Sequence, residues 1–239
     1  MNYNRSRADN SRALANANFV TLRAEHHQYK VQKELLASAS PWFKNVLDKI
    51  SVRAPEERDL TIELQGVTKE VLEHFLYFLL YNDIPLDKID GRFSESQHLL
   101  LVGIWVFGWE RDLPRLQDAA IRHLYEHSRN SNSSRFSIKV LEAACSTSVP
   151  DSKLHEFMLL ELVVGLKAFL KSSAGNVNLE DSYSVDEYMG LEHLPGVKEG
   201  SLKLLAVHLE GQHIVDGRSR FFKDYSYRYT VNRYLVADR

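Results

Sequence analysis

The chain has 239 residues, 44% of them hydrophobic, with 30 basic and 32 acidic side chains, a net charge of −2 and a single cysteine. That length and apolar share can bury a core without disulfides or metal, and the near-neutral charge excludes recruitment to nucleic acid or an anionic membrane by a global field. Cys145 alone excludes an intramolecular disulfide framework or a multi-cysteine zinc ribbon and fits a reducing compartment.

Residues 1–17 are rich in Asn, Arg and Ala, with no apolar run that would make a secretory signal, and are expected to form a flexible arm. Val20 and Leu22 alternate with Thr21 and Arg23, and after a polar break at Glu25 to His27 the alternation resumes with Tyr29 and Val31, which predicts a β-hairpin. Lys33 to Ser40 reads as a short helix. Pro41 breaks it and suits the first turn of another, Trp42 to Lys49, which offers Trp42, Phe43, Val46, Leu47 and Ile50. A charged loop, Ser51 to Asp59, leads to a strand in which Leu60, Ile62 and Leu64 alternate with polar residues up to Gly66. Thr68 caps a helix running to about Asn82. Its apolar residues Val71, Leu72, Phe75, Leu76, Phe78, Leu79 and Leu80 occupy more than one face, so it is expected to be central.

Ser94 and Gln97 have capping-box spacing ahead of a helix, His98 to Trp109, that is apolar nearly all round and expected to be buried. Asp112 and Pro114 start another helix, with Leu116, Ala119, Ala120, His123 and Leu124 at helical spacing and a loop from Arg129 to Ser133 after it. Two more helices are predicted, Arg135 to Cys145 and Ser152 to Leu170, divided by Val149-Pro150. The most apolar stretch, Met158 to Leu170, is interrupted by Glu161 and Lys167 and is too short to span roughly 30 Å of hydrocarbon. Residues 172–187 are polar and read as a linker; beyond lie a weak apolar patch, Leu202 to Leu209, and an alternating tail. The whole reads as a soluble, intracellular chain of cytoplasm or nucleus.

Three patterns touch on chemistry. His123-Leu124-Tyr125-Glu126-His127 has the H-x-x-E-H spacing of a zinc hydrolase, but a third protein ligand is not evident; the simpler reading puts His123 on a core face and Glu126 and His127 at a solvated helix end. Cys145 follows Ala143 and Ala144 without an adjacent base or cation, which predicts a buried, inert thiol. In the tail, Arg218, Arg220, Lys223, Arg228 and Arg233 interleave with Phe221, Phe222, Tyr225, Tyr227 and Tyr229. That mixture suits single-stranded nucleic acid, but it equally suits an edge strand or partner-docking segment, and the acidic stretch Glu180 to Glu199 could neutralise it. No phosphate-binding glycine loop or nucleophile elbow is present.

The order of elements resembles the BTB/POZ family. Phe19-Val20-Thr21-Leu22 looks like its opening strand, and the run Tyr29-Lys30-Val31-Gln32-Lys33-Glu34-Leu35-Leu36-Ala37-Ser38-Ala39-Ser40-Pro41-Trp42-Phe43 is similar to its F-x-V-H-K-x-x-L-x-x-x-S-x-Y-F signature, with Gln32 in place of His. Leu60 to Leu64 resembles the third strand and Val71 to Leu80 the helix after it; Asp112 to Ile121 and Val149 to Leu154 are similar to segments of fungal members. The resemblance implies an α+β fold, a small three-stranded sheet packed on a helical cluster and extended by two C-terminal helices. It implies an arm at 1–17, a BTB/POZ domain at 18–130, post-BTB helices at 131–171, and a linker and tail at 172–239.

The function so implied is a non-catalytic protein-interaction module with no cofactor and no metal. Its partner would be a second copy (homodimer), another protein, or a cullin scaffold for which the chain serves as a ubiquitin-ligase adaptor. The interface residues would be Trp42, Phe43, Val46 and Leu47, which offer more apolar surface than one face of a short helix needs. For the adaptor reading, the hydrophobic-x-Glu element would be Ala54-Pro55-Glu56 or Pro55-Glu56-Glu57, neither with a large apolar residue. A nucleic-acid-associated protein using the basic-aromatic tail is the less favoured alternative, and no membrane partner is expected.

Overall fold

A computed structural model describes residues 19–53, 60–86, 93–130, 135–150, 152–172 and 183–204, with side chains at 51–53, 127–130 and 167–172 left undescribed. The chain divides into two compact units. One comprises the residues up to Asn82 with Glu110–Leu113, the other Asp83–Trp109 with the chain from Pro114 onward.

The first unit is built on a mixed sheet in the order β2-β1-β3: β1 (Phe19–Ala24), β2 (His27–Gln32) and β3 (Leu60–Glu63). β1 pairs antiparallel with β2, matching Val20 to Val31 and Leu22 to Tyr29, and parallel with β3, matching Val20 to Leu60 and Leu22 to Ile62. The side-chain period of two therefore collects Val20, Leu22, Ala24, Val31, Leu60 and Ile62 into the core. The hairpin is tighter than the polar break suggested: Ala24 pairs with His27, and Glu25 makes the turn with φ 52°. Between β2 and β3 run α1 (Lys33–Ala39) and α2 (Pro41–Arg53), and after β3 comes α3 (Lys69–Tyr81). Thr68 caps α3 by accepting from the Val71 amide, and Asn82 ends it in the left-handed conformation, its N–H donating to the Phe78 carbonyl at 2.8 Å.

The second unit is helical: α4 (Glu95–Glu110, its last residue in the first unit), α5 (Pro114–Asn130), α6 (Ile138–Thr147), α7 (Lys153–Ser172) and α8 (Val185–Leu191). The Ser94–Gln97 box forms reciprocally. The Gln97 amide donates to Ser94 Oγ at 3.3 Å and the Ser94 amide to Gln97 Oε1 at 2.7 Å. α4 is buried on nearly every side, with His98, Leu101, Val102, Ile104, Trp105 and Phe107 all inside. The helix expected from Arg135 starts at Ile138 because Ser137 caps it, and α5 continues to Asn130, past the expected loop start at Arg129. Phe136 sits in the core, edge-on to His98 at 5.0 Å and to Phe157 at 6.1 Å.

The largest difference from the sequence reading lies at its C-terminal end. Where polar composition reads as linker up to residue 187, the structure has a buried tyrosine and a capped helix. Tyr183 is 1% exposed, its amide donates to the Gly165 carbonyl at 3.2 Å and its hydroxyl to the Phe136 carbonyl at 2.9 Å. A Cβ placed on Gly165 would overlap the Tyr183 ring, so this helical glycine is the notch that receives it. Ser184 and Glu187 then form a complete capping box for α8, and residues 197–204 are helical as well. Gly196, at φ 74°, brings the chain over α7: His155 Nε2 lies 3.0 Å from the Pro195 carbonyl, and a Cβ on Gly196 would come within 2.8 Å of the His155 ring. One aromatic in a polar run, a glycine notch in α7 to receive it and the turn glycine Gly196 dock this segment without any apolar periodicity to announce it.

Candidate interaction surface

The start of α2 is set by Ser40, which is fully buried. Its Oγ accepts from the Trp42 amide at 3.0 Å and the Phe43 amide at 3.3 Å, and donates to the Arg111 carbonyl. Pro41 takes the first helical position, where no amide is needed. This cap aims two neighbouring aromatics in different directions. Phe43 turns inward, fully buried, and stacks on Phe75 with ring centroids 5.6 Å apart. Trp42 stays half-exposed, edge-on to Phe43 at 4.9 Å, with the Arg111 guanidinium 5.5 Å from its ring centre.

The expected interface therefore divides. Phe43 and Leu47 are buried in the core and are unavailable to a partner in this fold. Trp42, Val46 and Ile50 remain half-exposed along the flank of α2. The reason is helical spacing: Phe43 and Leu47 are four apart and share the inward face, while Trp42, Val46 and Ile50 form the adjacent stripe. Pro55, Glu56 and Glu57 lie outside the described residues, as does the tail from Arg218 to Arg239.

A second exposed surface is one that sequence reasoning assigned to the core. Of the apolar residues of α3, Val71, Leu72, Phe75 and Phe78 are buried. Leu80 is 66% exposed, Tyr81 63% and Tyr77 39%, and the rings of Tyr77 and Tyr81 pair with centroids 4.4 Å apart. The helix is thus amphipathic rather than central. The missed signal was the tyrosines, whose hydroxyls keep one end in water while the ring offers apolar area. Toward its N-terminus the outward face turns polar: Glu73 accepts from the Tyr29 hydroxyl at 2.7 Å and lies 3.7 Å from Lys69 Nζ. That hydrogen bond, with lesser contributions from desolvation and the charges of Glu73 and Glu70, pushes the Tyr29 hydroxyl up to about 12.

Elsewhere, several polar groups among the described residues are paired or buried. In the depression of about 370 Å³ beside the end of β1, lined by Arg23, Glu25, Glu63 and the Leu64–Val67 turn, Arg23 is held by Glu63 at 2.7 Å. Within the H-x-x-E-H pattern, His123 Nε2 lies 3.6 Å from Asp83 Oδ1 and its ring stands edge-on to Phe93 at 6.0 Å; the His127 side chain lies outside those described. Among the described residues no three His, Cys, Asp or Glu side chains are grouped as a metal ion would need. Cys145 is buried as expected, and desolvation pushes its thiol up to about 12. Among the described residues, no helix is long and apolar enough to cross a membrane.

What the first unit offers is contact area: a half-exposed tryptophan beside a buried arginine, and an aromatic–aliphatic helix end. Residues 17–104 match the family model of the BTB/POZ domain. No curated protein matches the chain.

Proposed function

With residues 17–104 a BTB/POZ domain, a module that serves protein–protein interaction, we propose that this chain works by homotypic or heterotypic association through two exposed parts of that domain. One is the flank of α2 carrying Trp42, Val46 and Ile50; the other is the end of α3 carrying Tyr77, Leu80 and Tyr81. The observation that carries this reading is the exposure of Leu80 and Tyr81, about two-thirds each, beside the Tyr77 ring. Tyrosine and tryptophan are the residues from which interface hot spots are most often built, and truncating such an anchor costs on the order of 2 kcal/mol or more of binding.

The test is the mass of the purified full chain by light scattering across a concentration series, for the wild type and for Trp42→Ala and Leu80→Asp. A dimer that both substitutions dissociate is the homotypic outcome. A wild-type monomer directs the search to a foreign partner, first the N-terminal domain of a cullin, measured by calorimetry with Glu56→Lys and Glu57→Lys as the control. Micromolar binding lost in that control supports an adaptor. Self-association that neither Trp42→Ala nor Leu80→Asp disturbs would overturn the assigned surface.

A further inference from the structure

The outer face of α8 is a further exposed surface, separate from the BTB/POZ reading. Tyr183 and Leu191 hold the ends of this segment in the core, and Arg135 ties Glu187 at 3.4 Å. Between them Val185 and Met189, four residues apart and so on one face, are 45% and 52% exposed. The described surroundings are acidic: residues 183–199 hold Asp186, Glu187, Glu192 and Glu199 against Lys198. Of these, Asp186 and Glu199 are exposed, and Glu187 is met by Arg135.

A complementary segment exists in the same chain. Between residues 218 and 229 stand Arg218, Arg220, Lys223 and Arg228 against Asp224, with Phe221, Phe222, Tyr225, Tyr227 and Tyr229 among them. These residues lie outside the described part, which ends at 204. The thirteen intervening residues, 205–217, can span up to about 45 Å when extended, so reach is not limiting. A tethered segment also acts at an effective concentration of about 1 mM, far above that of a separate partner at micromolar levels.

We propose that residues 218–229 dock on the Val185–Met189 face of α8, aromatic side chains on the apolar stripe and basic ones toward Asp186 and its acidic neighbours. The basic-aromatic tail is then an intramolecular clasp over the C-terminal helices, and the acidic stretch is its receptor.

Met189 is itself the reporter. The thioether of an exposed methionine is oxidised by peroxide to the sulfoxide, the peroxide being reduced to water, and cover slows the reaction. Met158, fully buried, is the internal control for folding. Sulfoxide formation at each is followed by peptide mass spectrometry in the full chain and in the full-length variant Arg218→Glu, Arg220→Glu, Lys223→Glu, Arg228→Glu. If the tethered segment binds with a local Kd of about 0.5 mM, the face is about two-thirds covered and Met189 oxidises about threefold more slowly in the wild type. Raising salt from about 0.05 to 0.5 M should erase most of that difference.

Equal Met189 rates in the two chains, with Met158 protected in both, overturn the proposal. If Met158 loses protection in the variant, the salt series on the wild type decides alone: acceleration of Met189 supports the clasp and a flat response overturns it. Protection that vanishes on dilution from about 100 to 1 µM identifies a second copy as the occupant and also overturns it, since a tethered segment is indifferent to dilution.

Discussion

Two hydroxyl-anchored junctions hold the chain's turns, one in each compact unit, and they differ in how far their partners lie along the sequence. At Ser40 the hydroxyl caps the helix that follows it, and only its bond to the Arg111 carbonyl is long-range. At Tyr183 every described partner is distant: the Gly165 carbonyl and notch, the Phe136 carbonyl and the Arg135 guanidinium, 5.5 Å from the ring centre. The first is a piece of local backbone grammar with one tertiary bond added; the second exists only once the helices have been placed. The stability of the Tyr183 junction should therefore depend on shape, and that of the Ser40 junction on donors and acceptors.

The largest expected effect follows from shape. Tyr183→Ala should cost about 3–5 kcal/mol, the usual range for truncating a buried aromatic, read as a lower urea midpoint. Gly165→Ala alone should destabilise by about 1–3 kcal/mol, because its Cβ has no room beside the ring. In the Tyr183→Ala background the same Gly165→Ala change should turn stabilising by up to about 1 kcal/mol, since a helical alanine is then better than a helical glycine. If Gly165→Ala keeps the same sign in both backgrounds, the notch is not what places Tyr183.

Next comes the polar junction. Ser40→Ala removes a helix cap and leaves the Arg111 carbonyl without this donor, at an expected cost of about 1–3 kcal/mol. Ser40→Asp can still cap α2, but as a carboxylate it cannot donate to that carbonyl. It should remain close to the alanine variant in thermal melts; recovery to wild-type stability would show that capping alone matters there.

The same contrast explains what could be read from the sequence. The strands, the Ser-Pro break between α1 and α2, the Thr68 cap and the Ser94–Gln97 box are all specified within a few residues, and each is present in the structure. Within the candidate surface, Trp42, Val46 and Ile50 could be separated from Phe43 and Leu47 only by knowing which stripe of α2 meets Phe75. For α3, counting apolar residues overrode the meaning of Tyr77 and Tyr81 at its outer edge. The Tyr183 segment had one legible mark, the S-x-x-E box at Ser184 to Glu187, hidden in a run whose composition reads as linker. Nothing local in a sequence states which glycine leaves space for which ring.

Alkaline pH gives a smaller and graded test of the buried groups. Burial, more than any neighbouring charge, pushes the Tyr183 hydroxyl above its ordinary value of 10.0, and burial raises the Cys145 thiol from 9.0 to about 12. Both groups hold their protons more tightly folded than unfolded, so the stability they contribute is complete below the unfolded pKa values and is lost as pH rises. Stability should start to fall near pH 9 through Cys145 and more steeply above pH 10 through Tyr183. Tyr183→Phe should cost about 1 kcal/mol at neutral pH, for the lost bond to Phe136, yet flatten the decline above pH 10. Cys145→Ala should remove the earlier part of the decline between pH 9 and 10. A decline of unchanged slope in Tyr183→Phe would mean that other groups govern the alkaline limb.

The smallest effect on stability is expected where the effect on association is greatest. Leu80→Asp and Tyr81→Ser change side chains about two-thirds exposed at the end of α3, so each should move the thermal midpoint by no more than about 0.5 kcal/mol equivalent. Trp42→Ala should cost more, because its ring packs on Phe43 and lies under Arg111. The ordering separates a surface kept for a partner from one kept for the fold. A residue that contributes little to the folded chain but whose loss dissociates a complex has its stabilising contacts in the partner. If Leu80→Asp instead destabilised the isolated chain by as much as Ser40→Ala, the end of α3 would belong to the architecture, and the association surface would shrink to the flank of α2.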